Sequence, residues 1–204
     1  CEPAAVALHS VGQGNVQIGD TVAVFGAGPI GIMLALWSKT AGAAKVILCD
    51  IDQTKVDFAK SLGLTAVNSR ENDPVAFIKE ETGGRGADVC IEGAGVSQTF
   101  EQALTSAKAD GHVVCMGNPA GDMTLTQNGY WEILRKQLTV RGTWNSSYNG
   151  EKNDWKTALH AIATHQVDVR PLISHRFHLS EQEKAFGVIL GHKEFFNKVM
   201  FVND

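Results

Sequence analysis

The chain contains 204 residues, of which 44% are hydrophobic and 20% are charged. This composition is typical of a globular protein, and the length suits one domain with an appended segment or two small domains. The 18 lysine and arginine residues and 22 acidic residues give a net charge of −4, so the chain lacks the basic footprint of a nucleic-acid-binding protein. Four cysteines without a CxxC pair indicate free thiols and predict a cytoplasmic location.

Up to about residue 145, short apolar runs alternate with helical patterns. The predicted strands are Thr21–Phe25, Lys45–Cys49, Thr65–Val67, Ala87–Glu92, His112–Met116 and Leu138–Trp144. The predicted helices are Ile30–Thr40, Gln53–Leu62, Asp73–Glu81 and a helix from Ser97 to about Ala107. Asp73 and Ser97 are expected to cap their helices. Because the strands are continuous apolar runs, they indicate an α/β fold whose parallel sheet is covered on both faces.

One uncharged stretch, Thr21 to Ser38, is long enough to be considered as a membrane span. Three glycines and Pro29 interrupt it, and its two parts have a strand-like and a helical pattern. We therefore expect a buried strand followed by a buried helix, and no membrane association.

Beyond about Asn153 the pattern changes to a smaller α+β tail. The predicted elements are a helix at Trp155–His165, an extended stretch at Val169–Leu172, a helix at Ser180–Leu190 and a strand at Asn197–Phe201. The tail has no glycine-rich loop for phosphate binding. It is expected to pack on another surface through its apolar side chains, namely Leu159, Ile162, Phe186, Ile189, Phe195, Phe196 and Phe201.

One glycine-rich motif carries the functional signal. Gly26, Gly28 and Gly31 form the pattern GxGxxG between a predicted strand and a predicted helix, and Asp50 follows the next strand 19 residues after Gly31. In a dinucleotide-binding Rossmann unit the first glycine permits a tight turn, the second admits a pyrophosphate, and the third lets the helix pack on the strand. The acid binds the adenosine ribose and repels a 2′-phosphate, which favours NAD over NADP, although Lys55 supplies a nearby cation.

The same glycine turn leaves two other interpretations open. One is a βαβ unit that binds no nucleotide. The other is a methyltransferase that binds the adenosine of its methyl donor through this loop, and it predicts an antiparallel edge strand in the sheet.

The chain resembles zinc-dependent medium-chain dehydrogenases over nearly its whole length. The resemblance rests on four stretches, which are Glu2-Pro3 with Ala7 and His9 following, Val24–Gly31, Thr82–Asp88 and Ser174–Leu179. Within this family the chain is most similar to the sorbitol and polyol-phosphate branch, and Ile133–Trp144 resembles galactitol-1-phosphate 5-dehydrogenases.

The resemblance implies a doubly wound Rossmann domain between two other segments. Residues 1–19 would be a linker helix from a GroES-like catalytic domain, 20–150 the NAD-binding domain, and 151–204 a segment that packs on the catalytic domain. That N-terminal domain, with its cysteine and Gly-His-Glu zinc residues, has no counterpart here. We therefore expect a truncated chain that is inactive alone. Family members usually dimerise by extending their sheets, so the resemblance also implies a homodimer with Leu138–Trp144 near the pairing edge.

The implied activity is transfer of a hydride from a secondary alcohol of a polyol or polyol phosphate to NAD, with zinc polarising the alcohol oxygen. A threonine or sorbitol dehydrogenase of the same family, and a non-enzymatic NAD(H)-binding module, are the alternatives. Glu2 matches a family acid close to the catalytic zinc. By similarity the cofactor would contact Gly26, Gly28, Pro29, Ile30, Gly31, Asp50, Lys55, Gly93, Ala94, Gly117, Asn118, Thr143, Trp144 and Asn145.

The remaining reactive side chains are expected to play structural or solvated roles. The seven histidines, His192 among them, are scattered along the chain. Cys49, Cys90 and Cys115 lie near strand ends and are expected to be core thiols. Arg135 and Lys136 could bind a substrate phosphate, but a surface role is favoured for both.

Overall fold

A computed structural model of the chain describes residues 1–191 and 193–203, so His192 lies outside the described residues. Its main feature is a six-stranded parallel sheet in the order β3-β2-β1-β4-β5-β6. This order is that of the doubly wound Rossmann fold, and no described strand runs antiparallel in it. The six strands are β1 (Thr21–Phe25), β2 (Lys45–Asp50), β3 (Thr65–Asn68), β4 (Ala87–Glu92), β5 (Ala107–Cys115) and β6 (Thr139–Gly142).

Helices cover both faces of this sheet, and a second sheet lies in the tail. The helices are α1 (Glu2–Gln13), α2 (Pro29–Thr40), α3 (Gln53–Ser61), α4 (Pro74–Glu81), α5 (Ser97–Ser106), α6 (Gln127–Arg135), α7 (Asp154–Ala163) and α8 (Gln182–Gly191). The second sheet is a parallel pair of strands, β7 (Ile173–His178) and β8 (Lys198–Val202). No helix among the described residues is long and apolar enough to cross a membrane.

The side chains of successive residues in the central strands pack alternately into two hydrophobic cores, one on each face of the sheet. Val22 and Val24 of β1 pack with α1, α2 and α7 on one face, whereas Ala23 and Phe25 pack with α4 and α5 on the other. Side chains alternate across a strand, so a sheet that is covered on both faces needs apolar residues at every position. All five residues of β1 are buried, as the continuous apolar run predicts.

The structure corrects three local expectations. Ser97 is the first residue of α5 and not its cap; its hydroxyl accepts the N–H of Thr124 instead. β5 begins at Ala107, where a helix end was predicted, because β4 continues the ladder there. Residues 170–172 form a 3₁₀ turn and not an extended stretch. The helix α6 was not predicted, whereas Asp73 caps α4 as expected.

The tail is divided between the main core and the surface. Ala158 and Ala161 of α7 are buried in the core that contains α1 and α2. In contrast, Leu179 at 59%, Phe186 at 53% and Leu190 at 76% are among the exposed apolar side chains around α8. The first part of the tail therefore packs on the Rossmann domain itself, and the second part presents apolar surface.

Two of the strand cysteines are buried and one is half-buried. Burial, reinforced by the neighbouring charge of Asp50, raises the pKa of the Cys49 thiol to about 12. Burial likewise raises the pKa of Cys90. Both thiols are therefore protonated at neutral pH, which agrees with their expected role in the core.

Candidate functional site

The glycine turn between β1 and α2 has the geometry that its sequence predicts. Gly26 has φ +113°, a conformation that side chains rarely adopt. A Cβ on Gly31 would lie 2.0 Å from the carbonyl oxygen of Gly26, so only glycine lets α2 start this close to β1. A Cβ on Gly28 would meet no atom of the described residues within 4 Å. The turn thus presents open backbone at the N-terminus of α2, where N–H groups lack intrahelical acceptors.

The turn lies where three cavities meet. The α1-side cavity, of about 540 Å³, also involves Glu2, Val6 and Ser10. The β2-side cavity, of about 470 Å³, also involves Cys49 and Asp50. The tail-side cavity, of about 570 Å³, also involves residues 193–197. Gly28 lines all three, so an elongated ligand could pass over the turn from one cavity into the next.

The carboxylate of Asp50 lies at the C-terminal end of β2, in the β2-side cavity, and is 9% exposed. Its Oδ2 accepts the N–H of Ala27 at 2.7 Å, and its Oδ1 accepts the N–H of Asp52 at 2.9 Å. These bonds fix the orientation of the carboxylate, and each oxygen retains a lone pair for a further donor. Lys55 lines the same cavity. Its ammonium forms an ion pair with Asp52, at 4.0 Å from Oδ2.

The far wall of the α1-side cavity is the segment that follows β6. The N–H of Thr143 continues the ladder to Cys115, and the hydroxyls of Thr143 and Ser10 lie 3.4 Å apart. Trp144 lines this cavity and is 81% exposed. It lies two residues beyond β6, which ends at Gly142 and not at Trp144 as predicted. Asn145 follows with φ +52°.

The structure brings all fourteen sequence-predicted cofactor residues together around the turn. Eleven of them line the α1-side cavity, and Asp50, Lys55 and Ala94 line the β2-side cavity. Glu2 also lines the α1-side cavity.

Sequence reasoning missed two kinds of residue at this site. Lys198 lines the α1-side cavity, and Lys193 lines the tail-side cavity, so both add positive charge near the glycine turn. Glu92, at the end of β4, is 1% exposed and accepts hydrogen bonds from the N–H groups of Ala94 and Gly95. None has a motif of its own. The lysines arrive from the distant tail, and Glu92 reads in the sequence as the end of an apolar run.

The two cations considered for a substrate phosphate lie away from these cavities. The guanidinium of Arg135 stacks on Trp131 at 4.2 Å from the ring centroid. Lys136 donates to carbonyl oxygens of residues 104, 105 and 107 and pairs with Glu132. Both residues have structural or surface roles, as expected.

The residues do not fit a zinc site. Glu2 is exposed, and within residues 1–191 and 193–203 no three histidine, cysteine or acidic side chains are grouped so that they could hold a metal ion. One carboxylate alone does not complete the four-coordinate site that zinc requires. The cavities do fit a dinucleotide, because the open Gly28 backbone, the helix N-terminus and Asp50 match the pyrophosphate and ribose of such a cofactor.

Comparison with known proteins agrees with this geometry. The chain is 32% identical over 191 residues to D-xylulose reductase A of Aspergillus oryzae, an alignment that covers 91% of the chain and 51% of that protein. The solved galactitol-1-phosphate dehydrogenase of Escherichia coli superposes with a TM-score of 0.87 at 30% identity, covering 99% of this chain and 59% of that one. A Sinorhizobium meliloti protein solved with NADP bound has a TM-score of 0.85 at 31% identity, covering 100% and 58%.

The chain spans about half the length of the curated relatives that it matches. A family model described as zinc-binding dehydrogenase matches residues 29–164, which is most of the Rossmann domain and the first helix of the tail. Together with the strand order, the glycine turn and the acid at the end of β2, this match shows that the chain belongs to the zinc-binding dehydrogenases, a family of alcohol and polyol dehydrogenases.

Proposed function

We propose that this chain is the cofactor-binding part of an NAD(H)-dependent oxidoreductase, and that the whole protein oxidises a secondary alcohol of a polyol or polyol phosphate to a ketone. The observation that carries the proposal is the glycine turn at the junction of the cavities, with Asp50 on one side and the 143–145 segment on the other. A dinucleotide has the same order of parts, since its pyrophosphate lies between the adenosine and the nicotinamide.

The pyrophosphate would bind over the turn. The N-terminus of α2 offers backbone N–H groups of Ile30 and Gly31 and the positive end of the helix dipole. Lys198 and Lys193 line the adjoining cavities and add positive charge from the tail. The missing Cβ of Gly28 leaves the space that the phosphate oxygens need.

The adenosine ribose would bind to Asp50. Both carboxylate oxygens can accept hydroxyl protons, and the oriented negative charge opposes a 2′-phosphate. This favours NAD(H) over NADP(H). Two observations favour the competing preference for NADP(H). Lys55 lines the same cavity, and a structural neighbour was solved with NADP.

The nicotinamide would lie in the α1-side cavity, between Gly93 and Gly117 on one wall and Thr143 on the other. When bound, the nicotinamide supplies the hydride acceptor. The residues of this chain orient it and limit its access to water, with Met116 and Leu34 as apolar lining. Glu2 is the acidic residue that lines the same cavity, and the described side chains do not form a zinc site around it.

The test is titration of the chain with NADH and with NADPH, read by energy transfer from tryptophan to the nicotinamide. The wild-type chain should bind NADH more tightly. Asp50→Ala should lower the preference for NADH about tenfold or more, which corresponds to about 1.4 kcal/mol. The control is Asp57→Ala, because Asp57 is an exposed acid on α3 and lines none of the three cavities. Binding of neither cofactor, or a D50A variant with unchanged preference, would contradict the assignment.

A non-enzymatic NAD(H)-binding module makes the same prediction for cofactor binding. The two functions differ in turnover. The whole protein, expressed from its complete coding sequence, should reduce NAD with galactitol 1-phosphate, sorbitol or threonine if it is a dehydrogenase, and the preferred substrate among these identifies the branch. The chain by itself should bind NADH and show no turnover with any of them. Turnover by this chain alone would contradict the proposal that this chain only binds the cofactor and that catalysis needs the whole protein.

A further inference from the structure

Glu92 is a buried acidic side chain for which the described residues provide no counter-ion. It ends β4 and is 1% exposed. The other acid of the same strand, Asp88, forms ion pairs with Arg85 and Lys108. No lysine, arginine or histidine forms an ion pair with Glu92 in the part of the chain that the structure describes. A buried charge that lacks a partner is costly, so its position calls for an explanation.

Hydrogen bonds hold this charge in one place. Oε1 accepts the N–H of Ala94 at 2.8 Å, the N–H of Gly95 at 2.7 Å and the hydroxyl of Thr99 at 2.8 Å. The other oxygen lies beside Gly117, where a Cβ would be 2.7 Å from Oε2. None of the described donors binds Oε2. Since Gly117 lines the α1-side cavity, the unpaired side of the carboxylate lies directly behind the cavity wall.

The charge of Glu92 acts on groups at this end of the sheet. Burial, and then the negative charge of Glu92, raises the pKa of the half-buried Cys115 thiol at the end of β5. A ligand group against Gly117 in the α1-side cavity would also feel this charge, because little protein would separate it from the carboxylate and the interior of the protein screens charge weakly. The oxidised nicotinamide ring carries a positive charge, and the reduced ring carries none.

We propose that Glu92 is the counter-charge to the oxidised nicotinamide ring, so that it strengthens binding of NAD⁺ relative to NADH. The inference rests on the proposed binding of the nicotinamide in the α1-side cavity. A bound pyridinium would supply the positive charge that the described residues do not provide near Glu92, and the reduced ring would not. Glu92 therefore acts on the two oxidation states of the cofactor unequally, whereas the glycine turn and Asp50 bind parts that both states share.

The experiment compares the wild-type chain with Glu92→Gln. The glutamine side chain can keep an acceptor oxygen at the Oε1 position, with its three donors, and it removes the charge. The dissociation constant (Kd) for NADH is measured by energy transfer, and that for NAD⁺ by displacement of NADH. We expect the ratio of Kd for NAD⁺ to Kd for NADH to rise about fivefold or more in E92Q. Equal changes in both constants, or no change in either, overturn the inference.

Two further variants separate charge from position. Thr99→Val removes one hydrogen bond to Oε1 and keeps the charge, so both constants should change together. Glu92→Asp also keeps the charge and is available if E92Q does not fold. Its ratio of Kd for NAD⁺ to Kd for NADH should stay within about twofold of the wild-type ratio. A larger shift of this ratio in Thr99→Val or in Glu92→Asp overturns the inference. Failure of the wild-type chain to bind NADH would instead refute the proposed function, so the two failures are distinguishable.

Discussion

Nδ1 of His9 lies 2.9 Å from Oδ2 of Asp154, in a buried contact that joins α1 to the start of α7. Asp154 Oδ2 also accepts the N–H of Ser147 at 2.7 Å, so the same atom anchors the segment after β6. Gln13 Nε2 donates to Nε2 of His9, and its own oxygen accepts from Arg141. Because an ionised carboxylate can only accept a hydrogen bond, Nδ1 of His9 is the donor in its contact with Asp154.

Removal of this contact should loosen the wall of the α1-side cavity. We expect Asp154→Ala to lower the free energy of unfolding by about 2–4 kcal/mol, because it removes the acceptor shared by the buried His9 and the partly buried N–H of Ser147. Asp154→Asn retains an acceptor and should lose less than half as much. Urea denaturation measures both variants. Equal losses would mean that Asp154 contributes through its negative charge, which also pairs with Lys152, and not through its hydrogen-bond acceptors.

Acid stability should depend on Asp88. Its burial would raise its pKa, but hydrogen bonds from Arg85, Lys108 and the N–H of Thr21 outweigh burial and hold the pKa of Asp88 well below its usual range. A lowered pKa in the folded state means that the ionised group stabilises the fold above the unfolded value of about 4, and that this contribution disappears as the pH falls below it. We expect about 2–3 kcal/mol at pH 7.

Asp88→Asn should therefore lower stability at pH 7 and flatten its decrease between about pH 5 and pH 2, measured by urea denaturation at several pH values. The matched control is Asp168→Asn. Hydrogen bonds from Arg170 lower the pKa of Asp168 to about 2, yet this pair is exposed to solvent and should contribute little. An unchanged pH dependence in D88N would contradict the assignment.

Two glycines of the same turn should respond differently to alanine. In Gly31→Ala the new methyl group meets the carbonyl oxygen of Gly26, so we expect a loss of about 2–3 kcal/mol in the free energy of unfolding. Gly28→Ala places its methyl group in open space at φ −69° and should leave stability within about 0.5 kcal/mol. Its affinity for NADH should nevertheless fall about tenfold or more, because the methyl group occupies the space for the pyrophosphate.

Both variants are measured by urea denaturation and NADH titration. Gly121→Ala, which also meets no neighbouring atom, is the control for both measurements. A G28A variant that binds NADH like the wild type would argue against a pyrophosphate at the turn.

The outer edge of the sheet should mediate self-association. All four residues of β6 are exposed, and the strand pairs only with β5 in the described sheet. Tyr130 and Leu134 of the neighbouring α6 are also exposed. We expect a homodimer at micromolar concentration in sedimentation velocity, because an uncovered edge strand is a template for pairing.

Val140→Lys places a charge near the middle of this edge, where a symmetric partner would bring its own copy close. It should produce monomers, and Ile18→Lys, at an equally apolar but distant exposed position, should not. A monomeric wild-type chain would refute the edge-pairing hypothesis.

The strands were predictable because their signal is local. A fully covered parallel strand needs an apolar residue at each position, and runs such as Thr21–Phe25 meet that requirement. Asp73 and Pro74 predicted a helix start for the same reason. The helix α6 was not predicted, since its buried face is small and only Gly129 is buried within it. Ser97 was misread because its hydroxyl has a partner, Thr124, that lies far along the chain.

What the sequence determined alone is the βαβ unit with its glycine turn and Asp50, and four short stretches together carried the resemblance to the family to which the chain belongs. Spacing along the chain is enough there, because the residues of the unit are neighbours in both sequence and space. What only the tertiary structure decided is the rest of the cavity: the lysines of the tail, the His9–Asp154 contact and the unpaired charge of Glu92. Their roles depend on which distant atoms come within hydrogen-bonding or Coulombic range, and that follows from how the sheet, α1 and the tail pack together.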